Sequence, residues 1–358
     1  MSLNLIDISN LRNIEKASME AHPDLNVIVG PNGSGKTSFL EAIYILGRGR
    51  SFRASTSKKV IKEDKSSLTI VAKIGEKNIH TLGLQITGKG FRAKRDGEYV
   101  KKTSELALTL PLLLISPDAD KLIQGSPRQR RRFLDWGLFH VEHEYLSYWK
   151  KYNRVLIQRN TLLKKGGLNN IETWNRQLLS IGGTLTQYRL VYTTALRELF
   201  QRYSNVLTNE LALDLKYQPG WGGDETFESS LLKSIDRDIK TGYTQKGPHR
   251  ADIGITSAGR KADNYLSGGQ QKLAACALIL AQAKLLSEKL KHRGLLLVDD
   301  LPAELDARHR KQFLHLLSNI NSQIFITTTD LGLLTLESFS GYNVFHVEHG
   351  QISVFKKT

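Results

Sequence analysis

The segment Gly30-Pro31-Asn32-Gly33-Ser34-Gly35-Lys36-Thr37 decides the fold class of this 358-residue chain. It fits the phosphate-loop pattern G-x-x-x-x-G-K-[ST], it follows a β-rich run, and a helical pattern begins after it. Glycines let backbone N–H groups curl around phosphates, and the helix N-terminus adds partial positive charge. We expect Lys36 to reach the β- and γ-phosphates of ATP and the Thr37 hydroxyl to bind Mg²⁺. The predicted nucleotide-binding residues here are Gly30, Pro31, Asn32, Gly33, Ser34, Gly35, Lys36, Thr37 and Ser38.

Two adjacent carboxylates form the second part of the predicted nucleotide site. The apolar run Leu295–Val298 predicts a buried strand, and it ends at Asp299 and Asp300. A helical segment and a second apolar run, Ile324–Thr327, follow, so this part predicts a βαβ unit with parallel strands. Ligands bind at the carboxyl ends of such strands. We therefore expect Asp299 to hold Mg²⁺ and Asp300 to orient or deprotonate the attacking water.

A glycine-containing segment, Leu266-Ser267-Gly268-Gly269-Gln270, precedes a long helical pattern, which Ser267 is placed to cap. Ser267 lies 32 residues before Asp299, and Glu304 and Asp306 follow the acid pair. This set resembles the ATP-binding-cassette ATPases, whose signature motif completes the site of a second subunit. The resemblance implies a head-to-tail dimer with two ATP molecules between the subunits. It assigns the signature role in trans to Ser267, Gly268, Gly269 and Gln270, and the D-loop to Glu304 and Asp306.

The rest of the chain divides by its hydrophobic period. From Leu68 to Val100, short alternating runs separated by glycines predict a meander of hairpins. From about residue 128 to 203 the period is helical, which predicts an antiparallel hairpin of two long helices, the first about 50 Å long. The predicted class is α/β, a P-loop ABC-type ATPase head with an inserted helical lobe. Its predicted segments are 1–127 (phosphate loop and meander), 128–240 (helical insertion) and 241–358 (signature and acid pair).

Net charge indicates the kinds of partner this chain could bind, and cysteine content indicates whether it can form a disulfide. Lys plus Arg exceed Asp plus Glu by 16, which suits nucleic acid or an anionic membrane surface, while a merely basic solvated surface is the alternative. The chain has a single cysteine, Cys276, so an internal disulfide is excluded. Because Cys276 lies in an apolar helical pattern, we expect its thiol to be buried. No signal-peptide pattern and no bilayer-length apolar stretch occur, so we expect a soluble intracellular protein.

A series of short strings resembles the RecF family of bacterial recombinational repair proteins. Besides the motifs above, these strings are Asn10–Asn13, Gly49–Arg53, Ser116–Asp118, Gly125–Pro127, Arg131–Asp135 and Gly247–Arg250. The resemblance implies binding to gapped or junction DNA, ATP-driven dimerisation, and a weak DNA-dependent ATPase in the bacterial cytoplasm. It also implies that RecO and RecR are partners in loading a recombinase, that the SOS response is supported, and that no membrane is involved.

Two positions depart from the patterns of these families. Asp300 stands where most cassette ATPases have a glutamate, and its shorter side chain predicts slower hydrolysis. Leu301-Pro302-Ala303 precedes Glu304 where a less rigid linker is expected.

Two other kinds of cassette ATPase are alternatives. Ser267 follows Lys36 by 231 residues, far more than in transporter subunits, and the predicted hairpin occupies the gap where SMC and Rad50 proteins carry coiled coils. A short SMC/Rad50-like head with another partner is therefore the first alternative. A transporter ATPase subunit is the second, although Thr328-Thr329-Asp330 stands where such a subunit is expected to have a histidine.

Basic side chains outside the phosphate loop are candidates for phosphate contacts. Arg12 is expected to approach a nucleotide phosphate, as an early arginine does in SMC-type heads. Cations at the start of the first long helix oppose its dipole and need an anionic partner, either DNA or nearby acids such as Asp135. For all the basic runs, a solvated or structural role is the alternative. The candidate DNA contacts are Arg50, Arg53, Lys58, Lys59, Arg92, Lys94, Arg95, Arg130 and Arg131.

Overall fold

A computed structural model describes residues 2–166, 170–208, 211–222, 224–290, 293–300 and 304–357. The chain forms two compact units, one made from residues 1–119 and 286–358 and the other from residues 120–285. These limits differ from the predicted segment boundaries after residues 127 and 240. Strand pairing explains part of the difference, because residues 213–218 and 252–257 are hydrogen-bonded in one sheet of the second unit.

The first unit contains an antiparallel sheet with strand order β2-β1-β4-β5-β6-β7. Its strands alternate between buried and exposed residues, as expected for a sheet with one face on the core. The predicted meander between residues 68 and 100 is confirmed by the antiparallel pairing of its four strands. The strands are β1 (Leu3–Leu11), β2 (Ile14–Glu20), β4 (Ser67–Ile74), β5 (His80–Thr87), β6 (Gly90–Arg95) and β7 (Glu98–Tyr99).

A second sheet of the same unit has the order β15-β14-β3-β13-β12-β8 and is parallel except for β15. Its central strands, Gly294–Val298 and Ser322–Thr328, are buried except for Gly294, which explains their continuous apolar sequences. The predicted βαβ unit is confirmed, because β12 pairs in parallel with β13. The strands are β3 (Leu25–Val29), β8 (Leu112–Ile115), β12 (Gly294–Val298), β13 (Ser322–Thr328), β14 (Tyr342–Glu348) and β15 (Gln351–Lys357).

Helices of the first unit accompany these strands. Helix α1 buries Phe39, Leu40 and Ile43 in the core that both sheets share. Burial of such side chains contributes roughly 1.5–3 kcal/mol each to folding. The helices are α1 (Lys36–Arg48), α2 (Thr103–Thr109) and α11 (Ala307–Ser318).

The second unit is mostly helical and also contains a three-stranded sheet of order β11-β10-β9. Its helices are α3 (Lys121–Gln124), α4 (Pro127–Val141), α5 (Tyr145–Lys165), α6 (Ile171–Thr208), α7 (Phe227–Lys233), α8 (Ile235–Thr241), α9 (Ala262–Tyr265) and α10 (Gly268–Lys289). The last residues of α10, from residue 286 onward, belong to the first unit. Its strands are β9 (Leu213–Gln218), β10 (Asp252–Ser257) and β11 (Arg260–Lys261).

The predicted helical hairpin is present as α5 and α6. Arg159 near the end of α5 donates to Asn175 near the start of α6 at 2.7 Å, and Arg189 at the middle of α6 donates to Tyr145 at the start of α5 at 3.0 Å, so the helices are antiparallel. The expectation of one uninterrupted first helix is wrong. Glu142 is extended (φ −119°, ψ 103°), so α4 ends before it and α5 begins afterwards. The apolar period continues across this break, which conceals it in the sequence.

Two side chains of the second unit, Cys276 and His249, have packing roles. Cys276 is fully buried, as predicted. His249 lies 2.8 Å from the Tyr152 hydroxyl and 2.9 Å from the Thr244 carbonyl oxygen, and burial lowers its pKa to about 4. It is therefore a neutral, packed histidine. In the part of the chain that the structure describes, no helix combines the length and apolar character needed to cross a bilayer.

Candidate nucleotide-binding site

The phosphate loop lies between β3 and α1. Pro31, Asn32 and Gly33 are exposed, whereas Ser34 and Lys36 are buried. Gly35 has φ +118° and directly precedes the helix, a conformation that strongly favours glycine. The loop therefore presents an exposed rim followed by a helix N-terminus, an arrangement able to bind a phosphate through backbone N–H groups.

Neighbouring strands and turns hold the loop in this shape. The Ser34 carbonyl oxygen accepts hydrogen bonds from Asn13 Nδ2 at 3.0 Å and from the Gly350 N–H at 2.8 Å. The Gly30 N–H donates to Thr328 O at 3.3 Å, and a Cβ atom on Gly30 would lie 2.2 Å from the Val347 carbonyl oxygen. The Ser34 hydroxyl is buried and has no hydrogen-bond partner among the described residues. Close backbone packing thus requires glycine at residue 30.

Lys36 extends back along the phosphate loop. Its Nζ donates to the carbonyl oxygens of Gly30 at 2.8 Å and Pro31 at 3.1 Å. Burial lowers its pKa, while the nearby carboxylates of Asp300 and Asp299 act in the opposite direction. The ammonium group is therefore partly desolvated, which strengthens its attraction to an anion.

Asp299 is the centre of a hydroxyl cluster at the carboxyl end of β12. Its Oδ1 accepts hydrogen bonds from the hydroxyls of Thr37 at 2.9 Å and Thr327 at 2.8 Å. Burial raises the pKa of Asp299, whereas the bonds from Thr327 and Thr37, and then the charges of Arg53 and Lys36, lower it. The structure thus brings together Thr37 and Asp299, the two residues that the sequence predicts as Mg²⁺ ligands. Both offer hard oxygen donors, the kind of ligand that Mg²⁺ prefers.

Asp300 lies next to this cluster with a distinct environment. Its backbone has φ +48°, and its N–H donates to the Thr327 hydroxyl at 2.8 Å. Its Oδ1 is buried and accepts no hydrogen bond from the described residues. Burial raises the pKa of Asp300, and the Lys36 charge opposes this effect. A buried, unpaired carboxylate oxygen beside Lys36 is suited to accept a proton or to orient a water molecule.

The signature segment belongs to the second unit. Ser267 caps α10 as expected, because its hydroxyl accepts from the Gln270 N–H at 3.3 Å and its N–H donates to the Gln270 side chain at 2.9 Å. Ser267, Gly268 and Gly269 are exposed. A Cβ atom placed on either glycine would meet no described atom within 4 Å. In the part of the chain that the structure describes, nothing packs closely against these two glycines.

The predicted D-loop residues differ in what they do within the chain. The Asp306 side chain accepts from the His309 N–H at 2.9 Å and so caps α11. Glu304 is exposed, and its charge raises the pKa of Asp300. The residues 301–303, noted for their proline, lie outside the described residues.

Arg12 contacts a side chain rather than the phosphate loop. Its guanidinium donates to the two carboxylate oxygens of Glu41 on α1 at 3.0 and 2.9 Å. Glu41 is fully buried. The pair joins Arg12 to α1, and a direct phosphate contact by Arg12 stays a prediction.

The candidate DNA-binding residues fall into two groups. Arg50, Arg53, Lys58, Lys59, Arg92 and Lys94 are exposed, and Arg95 is half-buried with Asp96 at 3.8 Å. Arg130 and Arg131 instead have structural partners. Arg130 forms a two-bond ion pair with Asp252 at 2.8 Å for each bond, and Arg131 donates to the Ala251 carbonyl oxygen at 2.6 Å. The anionic partner needed at the start of α4 is thus supplied for Arg130 by strand β10.

Replacement of Arg130 by glutamine should destabilise the protein. The change leaves Asp252 without its ion pair and removes bonds to the Ile123 and Gly125 carbonyl oxygens, so we expect the free energy of unfolding to fall by about 2–4 kcal/mol. Chemical denaturation measures this loss. Arg128→Gln, an exposed change on the same helix, is the matched control and should have little effect. Equal stability of the two variants would contradict a structural role for Arg130.

Three residues of the site were not identified from the sequence. Asn13 braces the loop, Thr327 binds Asp299, and Glu41 pairs with Arg12. Asn13 lies in the string Asn10–Asn13, and the family resemblance of that string is the sequence feature that pointed to it. The other two became evident only from the packing.

Comparison with known proteins identifies the family of this chain. The family model for the RecF/RecN/SMC N terminal domain matches residues 2–353. The protein "DNA replication and repair protein RecF" of Stutzerimonas stutzeri (strain A1501) is 40% identical over 361 residues, which cover 99% of this chain and 97% of the relative. This chain belongs to the RecF family. A RecF from Pseudomonas paraeruginosa is 39% identical with similar coverage.

Solved structures support the RecF fold. The recombination mediator protein RecF with ATP, of the RecFOR pathway, superposes with a TM-score of 0.85 at 28% identity, covering 99% of this chain and 98% of that one. An Smc head domain from Pyrococcus furiosus has a TM-score of 0.63 at 17% identity, which indicates a shared fold only. The predicted P-loop ATPase head with a helical insertion is confirmed, and the family is RecF rather than that of transporter subunits.

Proposed function

We propose that this RecF-family chain is an ATP-dependent DNA-binding protein of replication and recombinational repair. The observation that carries the proposal is the convergence of the phosphate loop, Thr37 and Asp299 at one edge of a parallel sheet. Beside them lies an Asp300 carboxylate oxygen that accepts no hydrogen bond from the described residues. The relatives named above are DNA replication and repair proteins, and a similar RecF structure contains ATP. Together, these facts favour ATP as the ligand of this site.

The chain's own groups would divide the work at the triphosphate. Backbone N–H groups of the loop bind phosphate oxygens, Lys36 turns from the carbonyl oxygens to the β- and γ-phosphates, and Asp300 accepts a proton from or orients water. Thr37 and Asp299 fit Mg²⁺, because both offer oxygen ligands and their oxygens lie 2.9 Å apart. When bound, Mg²⁺ supplies positive charge that neutralises the phosphates.

Dimerisation and DNA binding complete the proposal. ATP joins two subunits head to tail, with Ser267, Gly268, Gly269 and Gln270 of one subunit facing the triphosphate of the other. The exposure of Ser267, Gly268 and Gly269 and the position of the segment at a helix N-terminus support this role. DNA with a gap or junction contacts the exposed basic residues, and slow hydrolysis releases it. The proposed DNA contacts are Arg50, Arg53, Lys58, Lys59, Arg92, Lys94 and Arg95, without Arg130 and Arg131.

The proposed setting follows from the family. The protein would cooperate with RecO and RecR in loading a recombinase and would support the SOS response in the bacterial cytoplasm. The deciding experiment measures its mass in solution with and without ATP and Mg²⁺, and then with gapped duplex. We expect a doubled mass with ATP and DNA association of that dimer. A protein that does not bind ATP, or that does not bind gapped DNA in the presence of ATP, would refute the proposal.

Asp300→Asn should trap the ATP-bound dimer. Asparagine keeps the shape of the side chain and tolerates the positive φ, but it cannot accept the proton. We expect ATP hydrolysis to fall by roughly 10²–10⁴-fold while the doubled mass persists after ATP addition. Sedimentation and phosphate release measure the two effects. Asp7→Asn, on an exposed position of β1, should change neither. Undiminished hydrolysis by Asp300→Asn would remove Asp300 from the chemistry.

A further inference from the structure

The buried carboxylate of Glu41 joins three parts of the first unit. Glu41 lies on α1, five residues after Lys36, and is fully buried. It accepts two hydrogen bonds from Arg12 and one from the Ser51 hydroxyl. A buried charge is tolerated only when it is paired and hydrogen-bonded, so these contacts hold the side chains together as a set.

On one side of this set, Arg12 connects to the segment 50–62, which we call the basic segment. Arg12 Nη1 donates to the Lys59 carbonyl oxygen at 2.7 Å, and the Arg12 N–H donates to Val60 O at 3.0 Å. The Lys62 N–H donates to Asn10 O at 2.9 Å. The next residue of the same turn, Asn13, holds the phosphate loop through the Ser34 carbonyl oxygen. One turn thus touches the basic segment, α1 and the phosphate loop.

On the other side, Ser51 anchors the beginning of the basic segment. Its oxygen accepts from the N–H groups of Arg53 at 2.9 Å and Ala54 at 2.7 Å while its hydroxyl donates to Glu41. Both ends of the basic segment therefore attach to one carboxylate, at Ser51 and through Arg12. A shift of this segment must move Ser51 or Arg12 relative to α1, the helix that begins at Lys36.

We propose that Glu41 and Ser51 are positioning residues that couple DNA contact at the basic segment to ATP affinity at the phosphate loop. This inference rests on the proposed function, because it assigns DNA to Arg50, Arg53, Lys58 and Lys59. Coupling is reciprocal: if ATP raises the affinity for DNA, DNA raises the affinity for ATP by the same factor. Ser51 carries no charge and is not among the proposed ATP or DNA contacts, so its hydroxyl tests the connection itself.

The experiment measures the Kd of ATP for the full chain with and without saturating gapped duplex. In the wild-type protein we expect DNA to tighten ATP binding. In Ser51→Ala that factor should fall at least fivefold, while the Kd of ATP alone, the Kd of DNA alone, the Tm and the doubled mass with ATP remain near wild-type values. Ser51→Thr, which keeps a hydroxyl, should restore the coupling.

A similar set of side chains provides the matched control. In the same unit, Asp24 accepts from Arg293 at 2.7 Å and from the Ser340 hydroxyl at 3.2 Å. Ser340→Ala removes the same kind of bond and should leave the coupling factor unchanged.

The outcomes separate this inference from the function on which it rests. Full coupling in Ser51→Ala overturns the inference and leaves the proposed function intact. A wild-type protein that binds ATP and DNA without mutual effect overturns both, because the proposed function is ATP-dependent DNA binding. A variant that unfolds at lower temperature, loses either ligand or fails to dimerise shows a merely structural role and also overturns it. A wild-type protein that binds no DNA refutes the proposed function itself.

Discussion

Replacing Lys36 by methionine is expected to abolish ATP-dependent function. Methionine approximates the length of the lysine stem but cannot donate to the β- and γ-phosphates. Loss of these charge-assisted bonds costs about 3–4 kcal/mol, which raises the Kd of ATP by roughly 10²–10³-fold. Titration with a fluorescent ATP analogue measures this change, and ATP-driven doubling of the mass should disappear with it.

The Lys36 variant should remain folded. Burial lowers the pKa of Lys36, which means that the folded protein disfavours the charged ammonium, so a neutral apolar side chain should keep or raise the Tm. Lys16→Met, on an exposed position of β2, controls for the loss of a positive charge and should bind ATP normally. ATP affinity retained by Lys36→Met would contradict the assignment of the phosphate site.

Replacing Ser267 by arginine is expected to abolish the ATP-dependent dimer while a single subunit still binds ATP. Ser267 is exposed, and the residues proposed to bind ATP in the same subunit all lie in the first unit, whereas Ser267 lies in the second. A bulky side chain would occupy the place of the partner's γ-phosphate. We expect sedimentation with ATP to show only monomer. The Kd of ATP for the monomer should stay within about twofold of the wild-type value, because Ser267 is not proposed to contact the ATP bound to its own subunit.

Two further variants separate this effect from damage to α10. Ser267→Ala removes the helix cap at a cost of about 1 kcal/mol but adds no bulk, so it should still dimerise. Ser180→Arg places the same bulk on an exposed position of α6 and should also dimerise. If Ser267→Arg also loses ATP binding as a monomer, the signature does not act in trans.

Several features of the fold could be predicted because they depend on local pattern. The phosphate loop needs glycines at set positions between a strand and a helix, and that order is visible in residues 25–48. Continuous apolar runs predicted buried strands, and alternating runs predicted the meander. The Ser267 cap also depends only on neighbours within three residues.

Other features could not be predicted, because partners distant in sequence decide them. Nothing local distinguishes Arg130, which pairs with Asp252, from Arg128, which is exposed. The buried Glu41 resembles any polar residue of an amphipathic helix until Arg12 and Ser51 are placed against it. The break between α4 and α5 contains no proline or glycine and keeps the apolar period.

The amino-acid sequence by itself determined the class of this protein: a phosphate-loop ATPase head with a helical insertion and the order of motifs typical of RecF. These are properties of short segments, whose backbone geometry follows from the residues they contain. Only the tertiary structure decided which charged side chains have partners within the chain. It pairs Arg12 with Glu41 and Arg130 with Asp252. It leaves one Asp300 oxygen without a hydrogen bond among the described residues. The physical reason is that desolvation and ion pairing depend on distance in space, which the sequence does not state.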